Sequence, residues 1–265
     1  MPEGDTIWRT AAGLRARLLD KVVMGARPPA LARLRGAKVT AVEANGKHLL
    51  MRFDSGMVLH SHMRMTGSWH VYPPGGRWRK PARLATAVLE FADVTAVAFS
   101  APVVELLPSA ASAIGHLGPD VLAADFDLAV VLARARASES ATLGELLLDQ
   151  RVCAGIGNVY KCEALWACHE DPWRRVDSCN DDILARLFVT ARAQMRQNLG
   201  GFRRRFEGGG HAVHGRSGRP CRRCGQPIAV RAQGEQARLT YFCAGCQSSS
   251  GSSTPPRQTV RQGTP

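Results

Sequence analysis

Residues 45–62 read NGKHLLMRFDSGMVLHSH: the pair Asn45-Gly46, Lys47, a run from His48 to Phe53, the turn Asp54-Ser55-Gly56, and a run from Met57 to His62. Two apolar runs of strand length joined by a short Asp-Ser-Gly turn, and entered through an Asn-Gly pair suited to tight reversals, spell β-hairpins. Val39 and Val42 supply the strand leading into Asn45. Downstream, a Pro-Gly loop from Pro73 to Gly76 separates this unit from Ala85 to Phe91 and Val94 to Phe99. Upstream, Ile7, Ala11, Leu14 and Leu18 recur at helical spacing, with Pro2, Glu3 and Asp5 at the first turn, before Pro28-Pro29 breaks the pattern. The chain up to about residue 115 therefore reads as a strand-rich domain carrying one N-terminal helix.

Gly118-Pro119-Asp120 marks a boundary, beyond which the period turns helical. Thr142-Leu143-Gly144-Glu145 fits a capping box for a short helix. After Gly155-Ile156-Gly157, Asn158 is placed to cap a helix through Trp166, and Asn180 to start one with Ile183, Leu187, Ala191 and Met195 on one face. No repeat at a period of roughly 20–50 residues is present.

Four of the eight cysteines form two pairs, Cys221-x2-Cys224 and Cys243-x2-Cys246. Two such knuckles joined by a hairpin-length segment supply four thiolates for a tetrahedral zinc at roughly 2.3 Å each, and leave no open position for substrate. One structural Zn2+ is expected, on a ribbon whose strands run from Ile228 to Arg231 and from Leu239 to Phe242. The chain carries 35 Lys and Arg against 22 Asp and Glu, a net charge of +13, which points to a polyanionic partner, nucleic acid before an anionic membrane. No apolar run reaches the ~20 residues of a membrane span, and no secretory signal is read at the N-terminus. Arg203-Arg204-Arg205, Arg216, Arg219, Arg222 and Arg223 crowd the approach to the first knuckle, as a phosphate-attracting segment, a flexible solvated linker, or both. Residues 248–265, rich in Ser, Thr, Pro, Gln and Arg, are expected to be a disordered tail.

At the N-terminus, removal of Met1 would leave Pro2 with a secondary α-amine, a weaker base than a lysine, whose charge a helix N-terminus further disfavours. Such an amine can attack a sugar C1′ and form an iminium, with Glu3 beside it for proton transfer. Pro followed by Glu is equally a favourable way to begin a helix, and on these residues alone that is the preferred reading.

Met1-Pro2-Glu3-Gly4, Asn45-Gly46-Lys47, Leu148-Asp149-Gln150-Arg151, Ala154-Gly155-Ile156-Gly157-Asn158 and Cys243-x-x-Cys246-Gln247 follow one another in this order. Together they resemble the family of formamidopyrimidine-DNA glycosylase and endonuclease VIII over about residues 1–247, closer to the endonuclease VIII branch. The resemblance implies an α+β chain. An N-terminal β-sandwich domain with an N-terminal helix (1–117) precedes a helix–two-turns–helix domain (118–215) and a C-terminal zinc-finger β-hairpin (216–247), with damaged DNA in the cleft between the first two. It casts Pro2 as Schiff-base nucleophile, Glu3 as proton donor for opening the deoxyribose, Lys47 as the lysine assisting β-elimination, and Arg238 as the zinc-finger arginine that grips phosphate and serves δ-elimination. Asn158 would grip a phosphate at a helix end. Arg64, Met65 and Thr66 sit where the family carries its intercalating residues, with Met65 as wedge, and His116 stands where some members have a phosphate-binding arginine.

The activity so implied is that of a bifunctional DNA glycosylase and apurinic/apyrimidinic lyase, a monomer acting on cytoplasmic DNA. The short, Arg- and Gly-rich stretch between Gly200 and Cys221 leaves little lid over a flipped base and favours oxidised pyrimidines. The competing readings are an 8-oxoguanine glycosylase on the same scaffold, and a non-catalytic zinc-ribbon DNA-binding protein, against which the joint presence of Pro2, Glu3 and Lys47 argues.

Overall fold

The structure, a computed structural model, describes residues 2–201 and 203–248; all of the expected tail but Ser248 lies outside the described residues. Helix α1 (Gly4–Leu18) buries the stripe Ile7, Ala11, Leu14 and Leu18 against β2 (Val39–Asn45) and β3 (His48–Phe53). With β4 (Val58–His62) and β8 (Val103–Leu107), these strands form an antiparallel sheet in the order β2-β3-β4-β8. The second sheet, β1-β6-β7-β5, uses β1 (Gly25–Arg27), β5 (Ser68–Tyr72), β6 (Ala85–Glu90) and β7 (Thr95–Phe99).

Alternation along the strands makes the sandwich. Leu49, Met51, Phe53 and Leu59 of the first sheet join Trp69, Leu89, Ala96 and Ala98 of the second in one core under α1. Their neighbours Leu50 and Val58 turn to the other face of the first sheet and meet Ala110, while Val88, Val97 and Phe99 turn to the other face of the second, as a period of two requires. The β3–β4–β8 register sets His48 opposite His62, and His60 opposite Glu105.

Past the short α2 (Ala111–Ile114) come α3 (Leu128–Arg136), α4 (Leu143–Leu146), α5 (Asn158–Ala167) and α6 (Asp181–Gln197). The Thr142 hydroxyl accepts from the Glu145 N–H at 3.4 Å and donates to the Glu145 carboxylate at 2.6 Å, and Asn180 caps α6 by accepting from Ile183 at 3.1 Å. Leu184, Leu187, Phe188, Ala191 and Met195 of α6 close on α5 in a second core. Helix α5 is buried from Val159 through Trp166, so it has no solvent stripe. Beyond it, β9 (Ala229–Gln233) pairs antiparallel with β10 (Arg238–Phe242), and a small third core joins Cys162 and Trp166 of α5 to Cys221, Ile228 and Cys243.

Four of the arginines before the hairpin depart from the expectation of a flexible solvated linker. Arg204 holds the fully buried Asp5 with two hydrogen bonds, at 2.9 and 2.6 Å. Arg216 donates to the carbonyls of Ala212 and Pro220, and Arg222 to those of Glu207 and Gly208. Arg223 lies 3.8 Å over the Trp166 ring and donates to its carbonyl at 2.8 Å. A guanidinium's five donors satisfy loop and helix-end carbonyls that strand pairing does not reach. These four side chains are spent on holding the chain together rather than waving in solvent.

The Asp5–Arg204 pair ties α1 to the segment after α6, and both charges are taken from water. Arg204→Ala leaves the buried Asp5 with only the longer Arg9 ion pair at 3.3 Å and is expected to cost up to about 3–5 kcal/mol, the range for breaking a buried pair. The double variant Asp5→Leu with Arg204→Leu recovers most of the loss, as thermal unfolding of the three proteins will register.

Candidate active site

Three sequence motifs meet at one joint between the sandwich and the helices. The Gly4 N–H donates to the Gly155 carbonyl at 3.0 Å. The Asn45-Gly46 reversal lies against Ala154-Gly155: Gly46 has φ of +55°, and a Cβ there would sit 2.8 Å from the Ala154 Cβ and 3.1 Å from the Gly155 nitrogen, so glycine is needed for both conformation and space. Glu3, fully buried, crosses the joint and accepts from the N–H of Val159 at 2.9 Å and of Tyr160 at 3.4 Å.

This geometry corrects the capping role expected of Asn158. The N-cap of α5 is Gly157, whose backbone brings no capping side chain, and Asn158 is the first helical residue. The free N–H groups of the first turn, which any helix must satisfy, are taken by Glu3 instead. The carboxylate fits because Gly157 is bare: a Cβ would fall 2.3 Å from the Glu3 Cδ. Asn158 turns to the β9–β10 hairpin, its Nδ2 donating to the Leu239 carbonyl at 2.8 Å.

The electrostatics follow from this burial. Glu3 is pushed above the usual carboxylate range by desolvation, against the opposing pull of Arg204, Lys47 and the Val159 N–H. Lys47 is brought down to about 8 by burial and by the repulsion of Arg238, against the attraction of Glu3. A carboxyl biased toward its acid form thus lies within electrostatic reach of a lysine biased toward its free amine. Pro2, half-buried, borders a cavity of about 550 Å³ lined also by Thr6, Arg9, Arg203, Arg204, Gly210 and His211.

The remaining expected contacts lie around this joint. Arg64, Met65 and Thr66 are exposed on the turn that leaves β4, with Arg64 at φ +44° and Met65 60% exposed. That methionine is no core residue. His116 is exposed, its ring 6.4 Å from that of His48. Arg238 is exposed at the start of β10, donating to Gln236 Oε1 at 3.0 Å. The Sγ atoms of Cys221, Cys224, Cys243 and Cys246 lie within 4.8 Å of one another. The Cys221–Cys246 separation is 3.8 Å and Cys224–Cys243 3.3 Å. A tetrahedral ion with sulfur bonds of roughly 2.3 Å calls for edges of about 3.8 Å, so the donor set fits.

Two buried charges on α5 escaped the reading of the sequence. Glu163 accepts from the N–H groups of Ala212, Val213 and His214 at 2.8, 3.1 and 2.9 Å and so pins the loop before the first knuckle. Lys161 donates to the Thr240 hydroxyl at 2.6 Å, and Thr240 donates to Gln233 at 2.9 Å. Their signal was a Lys and a Glu inside an otherwise apolar run from Val159 to Trp166.

Residues 1–102 match the family model for the formamidopyrimidine-DNA glycosylase N-terminal domain, and residues 117–202 that for its H2TH domain. The chain belongs to the formamidopyrimidine-DNA glycosylase and endonuclease VIII family. It is 42% identical to a probable endonuclease 8 2 of Streptomyces coelicolor, over 93% of this chain and 94% of that one. It is 36% identical to the DNA-(apurinic or apyrimidinic site) lyase Nei2 of Mycolicibacterium smegmatis, over 94% and 100%. Among solved structures, the MutM (Fpg) protein of Thermus thermophilus matches at a TM-score of 0.76 and 28% identity, over 93% of this chain and 98% of that one. A Lactococcus lactis Fpg bound to DNA with an abasic site matches the fold at 0.79 and 21% identity, over 93% and 100%.

A lysine whose folded-state value is lowered destabilises the fold while it stays charged. The penalty is complete below about 8, shrinks as pH climbs toward the ordinary 10.5, and is gone above that. Lys47→Met is therefore expected to raise the thermal midpoint at pH 7, by roughly 2–4 °C per kcal/mol regained. The gain over wild type should narrow between pH 8 and 10, and a constant gain across that range would show the amine to be unstrained.

Proposed function

We propose that the protein is a DNA glycosylase and apurinic/apyrimidinic lyase of base excision repair, working through a Schiff base at Pro2. The observation that carries this reading is the joint itself: Pro2 borders the cavity, Glu3 beside it reaches across to α5, and Lys47 feels the charges of both Glu3 and Arg238. After loss of Met1, the Pro2 nitrogen attacks C1′ of the damaged nucleotide. The base leaves with a proton, Glu3 protonates the ring oxygen O4′ as the sugar opens, and an iminium links Pro2 to C1′. Loss of the C2′ proton and of the 3′ phosphate is the β step, which Lys47 assists. Arg238 holds phosphate for the δ step, in which the 5′ phosphate leaves. The rise of Glu3 above the usual carboxylate range keeps more of it in the acid form that donates near neutrality, and the lowering of Lys47 enlarges the free-amine fraction that can accept a proton.

In this reading Arg64, Met65 and Thr66 enter the duplex, with the exposed Met65 filling the gap left by the flipped nucleotide, and His116 and Asn158 meet phosphate. The four cysteines hold one zinc ion, which supplies a covalent-strength staple for the hairpin bearing Arg238 and takes no part in the chemistry. The division at 117/118 and 215/216, a monomeric state and a place on cytoplasmic DNA belong to the same proposal. Oxidised pyrimidines are the preferred lesions, since the short 200–221 segment gives the cavity beside Pro2 little lid.

Borohydride trapping on duplexes that differ only in the lesion tests the reading. Wild-type protein is expected to trap on thymine glycol and dihydrouracil faster than on 8-oxoguanine opposite cytosine. Protein that retains an N-terminal tag should bind DNA yet not trap. Glu3→Gln, which can still accept from α5, should lose about 10²–10⁴-fold in base release, and Arg238→Ala should lose mainly δ product. Full trapping by the tagged protein overturns the Pro2 assignment, and a preference for 8-oxoguanine overturns the pyrimidine one. Chelation of zinc should lower the thermal midpoint, and native mass spectrometry should count one zinc per chain.

A further inference from the structure

Beside Lys47, three strands bring together a group that the reaction above does not use. His60, 4% exposed, places Nδ1 2.9 Å from Glu105 Oε1 and Nε2 2.8 Å from His48 Nδ1. The His48 ring stacks on His60 at 5.0 Å between centroids and meets the His62 ring edge-on at 4.8 Å. A carboxylate only accepts, so His60 Nδ1 donates to Glu105. Taken with a single proton, His60 accepts at Nε2 from His48 Nδ1, and His48 is left with an unprotonated Nε2. Two residues that pair across β4–β8, and one that follows Lys47 directly, thus form a chain ending in an open acceptor beside the cleft.

We propose that this chain is a proton-loading phosphate dock: a backbone phosphate arriving beside Lys47 draws a proton from solvent onto His48 Nε2, which then donates to a phosphate oxygen. His60 and Glu105 are positioning residues, holding the His48 Nδ1–H and offsetting the charge gained. The inference rests on the reading that DNA occupies the cleft at Lys47.

The surroundings explain why the site is unloaded without DNA. Facing His48 are Lys47 from its own turn, His60 and His62 from β4, Glu105 from β8 through His60, Arg64 on the turn beyond His62, and His116. Glu43 and Arg52, further along the sheet, pair with each other at 2.9 Å. Apart from Glu105, the groups facing His48 are cations or imidazoles. Burial first, then His62, His60, His116 and Lys47, push His48 down to about 3. Burial, then Arg64, His60 and Lys47, push His62 down to about 4. Both rings are neutral at pH 7 in the free protein, which spares the apo cleft further self-repulsion. A phosphate reverses the balance by adding the anion that the cluster lacks.

The test uses the full chain and an uncleavable duplex carrying a tetrahydrofuran abasic analogue, so that binding is read without Schiff-base chemistry. Calorimetry at pH 6.0 in buffers of different ionisation enthalpy counts protons taken up on binding. Lys47, at about 8, is already charged at that pH and contributes none. Wild-type protein is expected to take up about one proton more than His48→Gln. Its affinity should weaken by up to about tenfold per pH unit as pH rises past the value the bound imidazole attains. Glu105→Gln, a change on a half-exposed side chain, removes the offsetting anion and should move that fall in affinity to lower pH. Equal proton uptake in wild type and His48→Gln, or an unmoved pH profile in Glu105→Gln, overturns the dock while leaving the lyase reading intact. Failure of wild-type protein to bind the duplex overturns both. Trapping activity without His48-linked uptake separates the two.

Discussion

One carboxylate sets the arrangement of the whole molecule. Glu3 sits on the free N–H groups at the start of α5, where the helix end favours negative charge. That contact fixes the first residues of the chain against the helical half. The residues of the proposed chemistry are referred to it: Pro2 is its neighbour, the Asn45-Gly46-Lys47 reversal packs on Ala154-Gly155, and α5 carries Lys161 and Glu163 onward to Thr240 and to the loop at 212–214. A single rigid helix therefore positions the N-terminus at one end and the hairpin bearing Arg238 along its flank.

The joint is built against ordinary stability rules. Glu3, Asp5 and Asp120 are carboxylates drawn into or toward the interior, and Lys47 is held where its ammonium is disfavoured. The compensation is specific: Arg204 for Asp5, helix-end N–H groups for Glu3, and for Asp120 the N–H groups of Leu122 and Gly46. The last of these fastens the lysine turn to the segment that follows the sandwich. Strain of this kind persists only where surrounding contacts over-determine it, and two clean cores on either side supply them.

What the sequence disclosed divides by range. The hairpins were legible because Asn45-Gly46 and Asp54-Ser55-Gly56 are local signals flanked by alternating residues, and the caps at Thr142 and Asn180 because a cap and its helix are adjacent. The expected cap at Asn158 failed for the complementary reason: the group that satisfies α5 comes from more than 150 residues away, and no local pattern encodes it. The flexible-linker reading of Arg204, Arg216, Arg222 and Arg223 failed likewise, since a run of Arg looks the same whether it faces solvent or binds carbonyls and a distant Asp5. Of the site, the motif residues were readable as types, but the values of Glu3 and Lys47 depend on burial that only the assembled joint creates.

The histidines mark the limit of that legibility most sharply. His48, His60 and His62 lie within fifteen residues, yet their relation is a matter of register: His48 opposes His62, while His60 opposes Glu105 on a strand more than forty residues on. A slip of one residue would turn them to opposite faces. The same register brings Lys47 to the joint, so the geometry that aligns the imidazoles also aligns the lysine. A cleft prepared for a polyanion could be made permanently cationic, but each fixed positive charge beside Lys47 would add to the cost of holding its ammonium in the joint, because like charges repel. Neutral rings beside a strained amine limit that cost, and in the proposed dock they would gain charge only with an anion present.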